Sequence, residues 1–202
     1  MLFLRAVFSP IVVVCQNLTI FEYKWRIDAT MSCSGMYALF VETGKEFDVK
    51  ARLEYKIGEE YSFLVPVRRM RERKGGIWRY RDRKLLPGYI LVKGFIDKQS
   101  YYGFKNIPGL YKLLRSGYDI LDIPQHETAF LQTLTAEGEL IRGSSVKILS
   151  GAVEVIDGPL KGLEGNIISV DHRKGRAKVF FDFLGQPRVV ELAIEVLAQA
   201  AR

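Results

Sequence analysis

The sequence predicts two folded parts in series, an α+β domain and then a small β-barrel, and three observations predict it. Strand-like and helix-like apolar spacings alternate up to Thr135, Ala136 to Ser150 is rich in Gly, Ser and Glu, and beyond it only short strand-like runs between Gly and Pro turns remain. The expected parts are therefore a first domain over 36–135, a linker over 136–150 and a barrel over 151–202. With 202 residues, 48% of them hydrophobic and 26% charged, the chain has room for two small domains.

Taken in order, residues 1–35 show no clear periodicity, and Pro10 interrupts their short apolar core, so neither a secretion signal nor a membrane span is met. They are expected to be an extension outside the fold, with Met31 or Met36 as the real beginning. The Asn17-Leu18-Thr19 sequon has no meaning in a cytoplasmic protein. MYALFVE, from Met36, reads as a buried strand, and Thr43-Gly44-Lys45-Glu46 as a capping box opening a helix on which Val49, Leu53 and Ile57 recur. Gly58 stops that helix, and Tyr61, Phe63, Val65 and Val67 alternate along a strand. Gly75-Gly76 is the expected turn of an exposed hairpin. The run Gly88 to Val92 lacks polar alternation and belongs in a sheet centre covered on both faces. Helices are expected over Lys98 to Asn106 and Pro124 to Thr135, and barrel strands near 153–156, 167–170, 177–181 and 189–192.

Charge is the most informative property of the chain. Between Arg68 and Lys84 nine basic residues face only Glu72 and Asp82, which makes +7, the formal charge of the whole protein. Such a segment seeks a polyanion, because each cation meeting a phosphate releases condensed counterions. Trp78 and Tyr80 among the arginines add stacking faces for unpaired bases. Arg68, Arg71, Arg73, Lys74, Trp78, Arg79 and Arg81 are the candidate nucleic-acid contacts. A second basic cluster, His172, Arg173, Lys174, Arg176 and Lys178 around Gly175, reads either as a polar turn or as RNA-binding. Catalysis is not expected, since His126 and His172 are the only histidines and neither sits beside a nucleophile or ligand set. Cys15 and Cys33 are too few for a disulfide framework or a zinc site, so no metal or cofactor is expected, and the expected location is the cytoplasm.

Two motifs carry a family resemblance. Leu86-Pro87-Gly88-Tyr89-Ile90-Leu91-Val92, behind the opening strand Tyr37-Ala38-Leu39-Phe40, resembles the amino-terminal (NGN) domain of NusG-type transcription elongation factors. VEVIDGPLKGLEGNIISV, Val153 through Val170 with Gly158, Gly162 and Gly165, is similar to the KOW motif that ends the same proteins; its glycines suit a tight loop and a close backbone approach. ALFVETGKE, VPVRRMRERKGGIW, RKLLPGYI and VDHRKGRAKV most resemble the specialised LoaP-type antitermination paralogues.

The resemblance implies a monomeric factor that docks on the clamp helices of the largest RNA polymerase subunit and favours the closed, pause-resistant enzyme. By motif the docking surface falls on Tyr37, Phe40, Leu86, Pro87 and Tyr89, with Phe40 readable as core or contact. Met36 stands where the family often has Trp. The basic hairpin would meet non-template DNA or nascent RNA, and a LoaP-like factor would be recruited by a structured leader RNA for processive antitermination. The KOW partner surface, for a ribosomal protein or Rho, falls on Leu160, Leu163, Phe183 and Leu184; Gln186 replaces a family arginine nearby, which tells against both partners. The β-rich stretch Ala177 to Phe181 argues against the helical switch known in one branch. Two alternatives stay open, a general NusG acting genome-wide in pausing and termination, and a ribosome-associated KOW protein, although the latter would lack the LPGY turn.

Overall fold

A computed structural model describes residues 35–97, 100–116, 119–149 and 152–199. The expected extension, with Cys15, Cys33 and the sequon, therefore lies outside the described residues but for Gly35. From Gly35 onward the chain forms one compact unit. Its first half runs β1 (Gly35–Val41), α1 (Glu46–Ile57), β2 (Ser62–Leu64), β3 (Val67–Lys74), β4 (Ile77–Lys84), β5 (Tyr89–Gly94), a 3-10 turn (Ser100–Phe104), β6 (Leu110–Leu113), β7 (Arg115–Ser116), β8 (Asp119–Ile120) and α2 (Gln125–Leu134). The second half is β9 (Leu140–Ile141), β10 (Ser144–Leu149), β11 (Ala152–Asp157), β12 (Ile167–Asp171), β13 (Arg176–Phe183) and β14 (Gln186–Gln199), with a 3-10 turn at Glu164–Asn166. No described helix is long and apolar enough to cross a membrane.

The first sheet has the order β2-β5-β1-β6, antiparallel at β1–β5, β2–β5 and β1–β6, so the unbroken apolar strand β5 lies inside it as its lack of alternation predicts. Side chains alternate across this sheet and feed two cores. Tyr37, Leu39, Val41, Ile90 and Val92 pack with Val49 and Leu53 of α1. Met36, Ala38 and Leu91 face the other way, into a core shared with Phe130, Leu131 and Leu134 of α2 and with Val146, Val179, Phe181 and Phe183 of the second half. One apolar core thus runs across both halves.

The second half is a five-stranded sheet of order β11-β10-β14-β13-β12, parallel only at β10–β14. The stretch expected as a linker contains β9, which pairs in parallel with β3, and β10, which belongs to this sheet. A two-residue strand such as Leu140–Ile141 is too short to show periodicity; its partner backbone defines it. Of the three KOW-motif glycines only Gly158 meets a close backbone, where a Cβ would stand 2.8 Å from the Ser144 Cα.

Two local expectations change. The helix expected over Lys98 to Asn106 is, where described, the single 3-10 turn Ser100–Phe104, opened by the Asp97 carboxylate accepting the Ser100 N–H at 2.6 Å. The capping box is only half realised: Lys45, not Thr43, occupies the cap position of α1 without a side-chain hydrogen bond. Glu46 instead turns its fully buried carboxylate inward, where it accepts the N–H groups of Gly44 and Gly88 at 2.8 Å each and pairs with Lys84. The helix start is thereby tied to the turn that follows the basic hairpin.

Candidate functional site

The hairpin is built as its glycines predict. Gly75 and Gly76 both hold positive φ, 59° and 81°, and the register pairs Arg71 with Tyr80 and Arg73 with Trp78. Directly opposed residues share a face, so Arg69, Arg71, Arg73, Trp78 and Tyr80 line one side, while Arg68, Glu72, Arg79, Arg81 and Arg83 line the other. The seven candidate nucleic-acid contacts therefore divide: Arg71, Arg73 and Trp78 come together, and Arg68, Lys74, Arg79 and Arg81 belong to the opposite face. Arg71 lies over the Trp78 ring at 4.8 Å, with Trp78 42% and Tyr80 73% exposed. Arg69 forks onto Asp82 at 2.8 and 2.9 Å and Arg83 pairs with Glu72 at 2.8 Å, and these partners hold Asp82 and Glu72 below the usual carboxylate range. Among the described residues Arg71, Arg79 and Arg81 make no ion pair.

The residues expected to dock, on the apolar turn and β1, differ widely in exposure. Tyr37 and Leu86 are buried at 5% and 4% exposure and serve the cores. Pro87 is exposed, and Phe40 is half-buried in a chain of rings, 5.5 Å from Tyr111 and 5.6 Å from Tyr89. Tyr89 in turn meets Phe183 edge-on at 5.2 Å, so that chain ends on the barrel.

The contact between the first and second halves is extensive. Phe130 stacks on Phe181 at 4.8 Å and 12°. Leu184 and Gly185 form the β13–β14 turn with φ of 56° and 70°, and both of their N–H groups donate to the buried Glu127 carboxylate, at 2.6 and 2.9 Å. A leucine at positive φ costs about 1–2 kcal/mol, so the turn is held against its own preference. The other end is polar. Arg68 donates to the Glu191 carbonyl, Arg176 pairs with the Glu191 carboxylate at 2.8 Å and reaches the Arg71 carbonyl at 3.4 Å. Burial pushes the Arg68 guanidinium below its ordinary value, and the Nε atoms of Arg68 and Arg176 have no hydrogen-bond partner among the described residues. Each such orphan costs about 1–3 kcal/mol, which makes this end of the contact a poor one.

The barrel's candidate residues fall into place around that contact. Phe183 and Leu160 are buried, Leu163 and Leu184 partly so, and all four join the shared core. His172, Arg173, Lys174 and Lys178 are exposed, whereas Arg176 is engaged by Glu191 of the neighbouring strand and by the Arg71 carbonyl. Glu127, Glu191 and Tyr111 were not legible as site residues, because their roles come from strands distant in sequence. Tyr80 could have been placed beside Arg71 by counting outward from Gly75-Gly76.

Residues 36–132 match the family model described as "Transcription termination factor nusG". That stretch is a NusG-family domain. NusG of Bacillus subtilis, "Transcription termination/antitermination protein NusG", is 29% identical over 164 residues, covering 77% of this chain and 93% of that one. The protein of the same description from Vibrio cholerae is 29% identical over 173 residues, 84% and 91% of the two chains. A solved structure, "Domain interaction in Thermotoga maritima NusG", shares the fold with a TM-score of 0.53 at 22% identity, over 79% of this chain and 93% of that chain. Both relatives are thus described as transcription termination/antitermination proteins, and this chain is NusG-like along most of their length.

Proposed function

We propose that this protein is a specialised NusG-type elongation factor that binds RNA polymerase, is recruited by a structured leader RNA, and promotes processive antitermination in the cytoplasm. The observation that carries the reading is the hairpin face on which Arg71, Trp78 and Tyr80 lie together, exposed and free of ion pairs with carboxylates, in a chain whose net charge of +7 equals that of the hairpin segment. Structured RNA is read through phosphates and splayed loop bases, and this face offers cations for the first and rings for the second.

Phe40, Pro87 and Tyr89 would dock on the polymerase clamp helices, with Tyr37 and Leu86 supporting them from beneath. Tyr89 faces Phe183, so docking there requires the barrel to move. The same movement would free Phe183 and Leu184 for a ribosomal protein or Rho. Docking would act by stabilising one polymerase conformation over another, which needs differential binding and no chemistry.

Single-round transcription through a terminator, with and without the native leader upstream and with full-length protein added, tests the proposal. Readthrough that depends on the leader supports it. Equal effects on both templates favour a general NusG, the reading to which the names of the relatives incline, and no effect on either template overturns both.

A further inference from the structure

Between the aromatic face of the hairpin and the barrel lies an open groove of about 670 Å³. One wall carries Arg71, Trp78 and Tyr80; the other carries Arg173 and Lys174 from the β12–β13 turn, with Arg142 from the connection between β9 and β10. His172 adds a ring at the barrel side, and among the described residues of the lining Glu195 is the single carboxylate. Cations on both walls of one groove repel one another across it, and a polyanion entering between them relieves that repulsion as well as releasing counterions. The rings suit unpaired bases, which present a π-face whatever their sequence.

We infer that this groove binds an unpaired stretch of nucleic-acid strand across both domains at once, with bases on Trp78 and Tyr80 and phosphates shared between Arg71 on one wall and Arg142, Arg173 and Lys174 on the other. The inference rests on the proposed RNA-binding role of the hairpin and adds the barrel as its second half. It has a consequence for regulation. The groove has two walls only while Glu127 holds the Leu184-Gly185 turn and Phe130 holds Phe181, so a bound strand stabilises the docked arrangement of the domains. The barrel turn is positioned for this without using Arg176, which is already tied to Glu191 and to the Arg71 carbonyl.

The test is fluorescence anisotropy with full-length protein and an oligouridine of about 12 nucleotides, alongside the oligothymidine of the same length to separate RNA from single-stranded DNA. Trp78→Ala is expected to weaken binding about tenfold, the loss of one base stack. Arg173→Glu with Lys174→Glu, both exposed in the fold, is expected to weaken it at least as much and to flatten the salt dependence by about one or more in log–log slope. Glu127→Ala, which loosens the two walls, is expected to reproduce the loss seen in the double variant, and combining the two is expected to add little further. Tight binding of either strand with this pattern supports the groove. If Arg71→Glu and Trp78→Ala weaken binding while the barrel double variant and Glu127→Ala bind as wild type, the hairpin acts alone and the groove is wrong, although the proposed function stands. If none of the substitutions matters, the groove and the RNA-binding role of the hairpin fail together.

Discussion

Replacing Glu127 by alanine should separate the two domains without unfolding either. The carboxylate is 2% exposed and accepts the N–H groups of Leu184 and Gly185 at 2.6 and 2.9 Å. Hydrogen bonds to a charged group contribute about 1.5–3 kcal/mol each, and taking the lower bound for both gives about 3 kcal/mol against the docked arrangement. At 1.4 kcal/mol per factor of ten this is roughly a hundredfold in the docking equilibrium. The loss falls on docking alone, because once the domains part both N–H groups meet water. The strain at Leu184, with φ of 56°, also disfavours re-docking without its acceptor. Amide hydrogen exchange read by NMR is the assay: Leu184 and Gly185 should lose protection, and signals along the faces of Phe130, Phe181, Tyr89 and Phe183 should shift, while β1 and β5 amides stay protected. Unchanged protection at Leu184 and Gly185 would refute the reasoning, and global loss of protection would show that the two halves do not fold separately.

Three further outcomes are expected. Glu46→Gln should destabilise the protein by about 3 kcal/mol at neutral pH, as breaking a buried pair does. Burial opposes the charge of Glu46, but Lys84 and the Gly88 N–H outweigh it and its pKa is lowered. Its stabilisation is therefore present above the unfolded-state value and lost as pH falls through the folded one, so urea titrations of the wild type should weaken on acidification and converge with the variant. Phe130→Ala should cost about 3–5 kcal/mol in urea unfolding through loss of the Phe181 stack and the cavity it leaves. Gly88→Ala should lower the melting temperature by about 3–6 °C, since alanine at φ of 81° is strained by about 1–2 kcal/mol, and its Cβ would stand 3.1 Å from the Thr43 Oγ1.

Legibility followed the range of the interaction. The hairpin was readable because Gly75-Gly76 and its flanks are contiguous, and α2 because Phe130, Leu131 and Leu134 recur at helical spacing. The interior place of β5 followed from its unbroken apolar run. Glu46 was visible as a helix-start residue but not as the hub joining α1 to the turn at Gly88, because that hydrogen bond spans 42 residues. Arg68 and Arg176 looked like free cations beside Arg71 and Arg173; the packing of β3 against β14 takes Arg68 to the Glu191 carbonyl, and the pairing of β13 with β14 takes Arg176 to the Glu191 carboxylate. The strands β9 and β10 were hidden in a Gly- and Ser-rich stretch whose composition resembles a linker.

By itself the sequence determined the local matters: two stretches of different texture, a hairpin with the charge of the whole protein, an apolar turn behind it and the motifs of a NusG-type factor. Periodicity, turn chemistry and charge are properties of neighbouring residues, so they survive in one dimension. The tertiary structure alone decided which cations share a face, that Tyr89 and Phe183 cover each other, and that Glu127 latches a turn 57 residues away. Those outcomes depend on which buried surfaces and unpaired N–H groups meet across the fold, and no local pattern of residues encodes that choice.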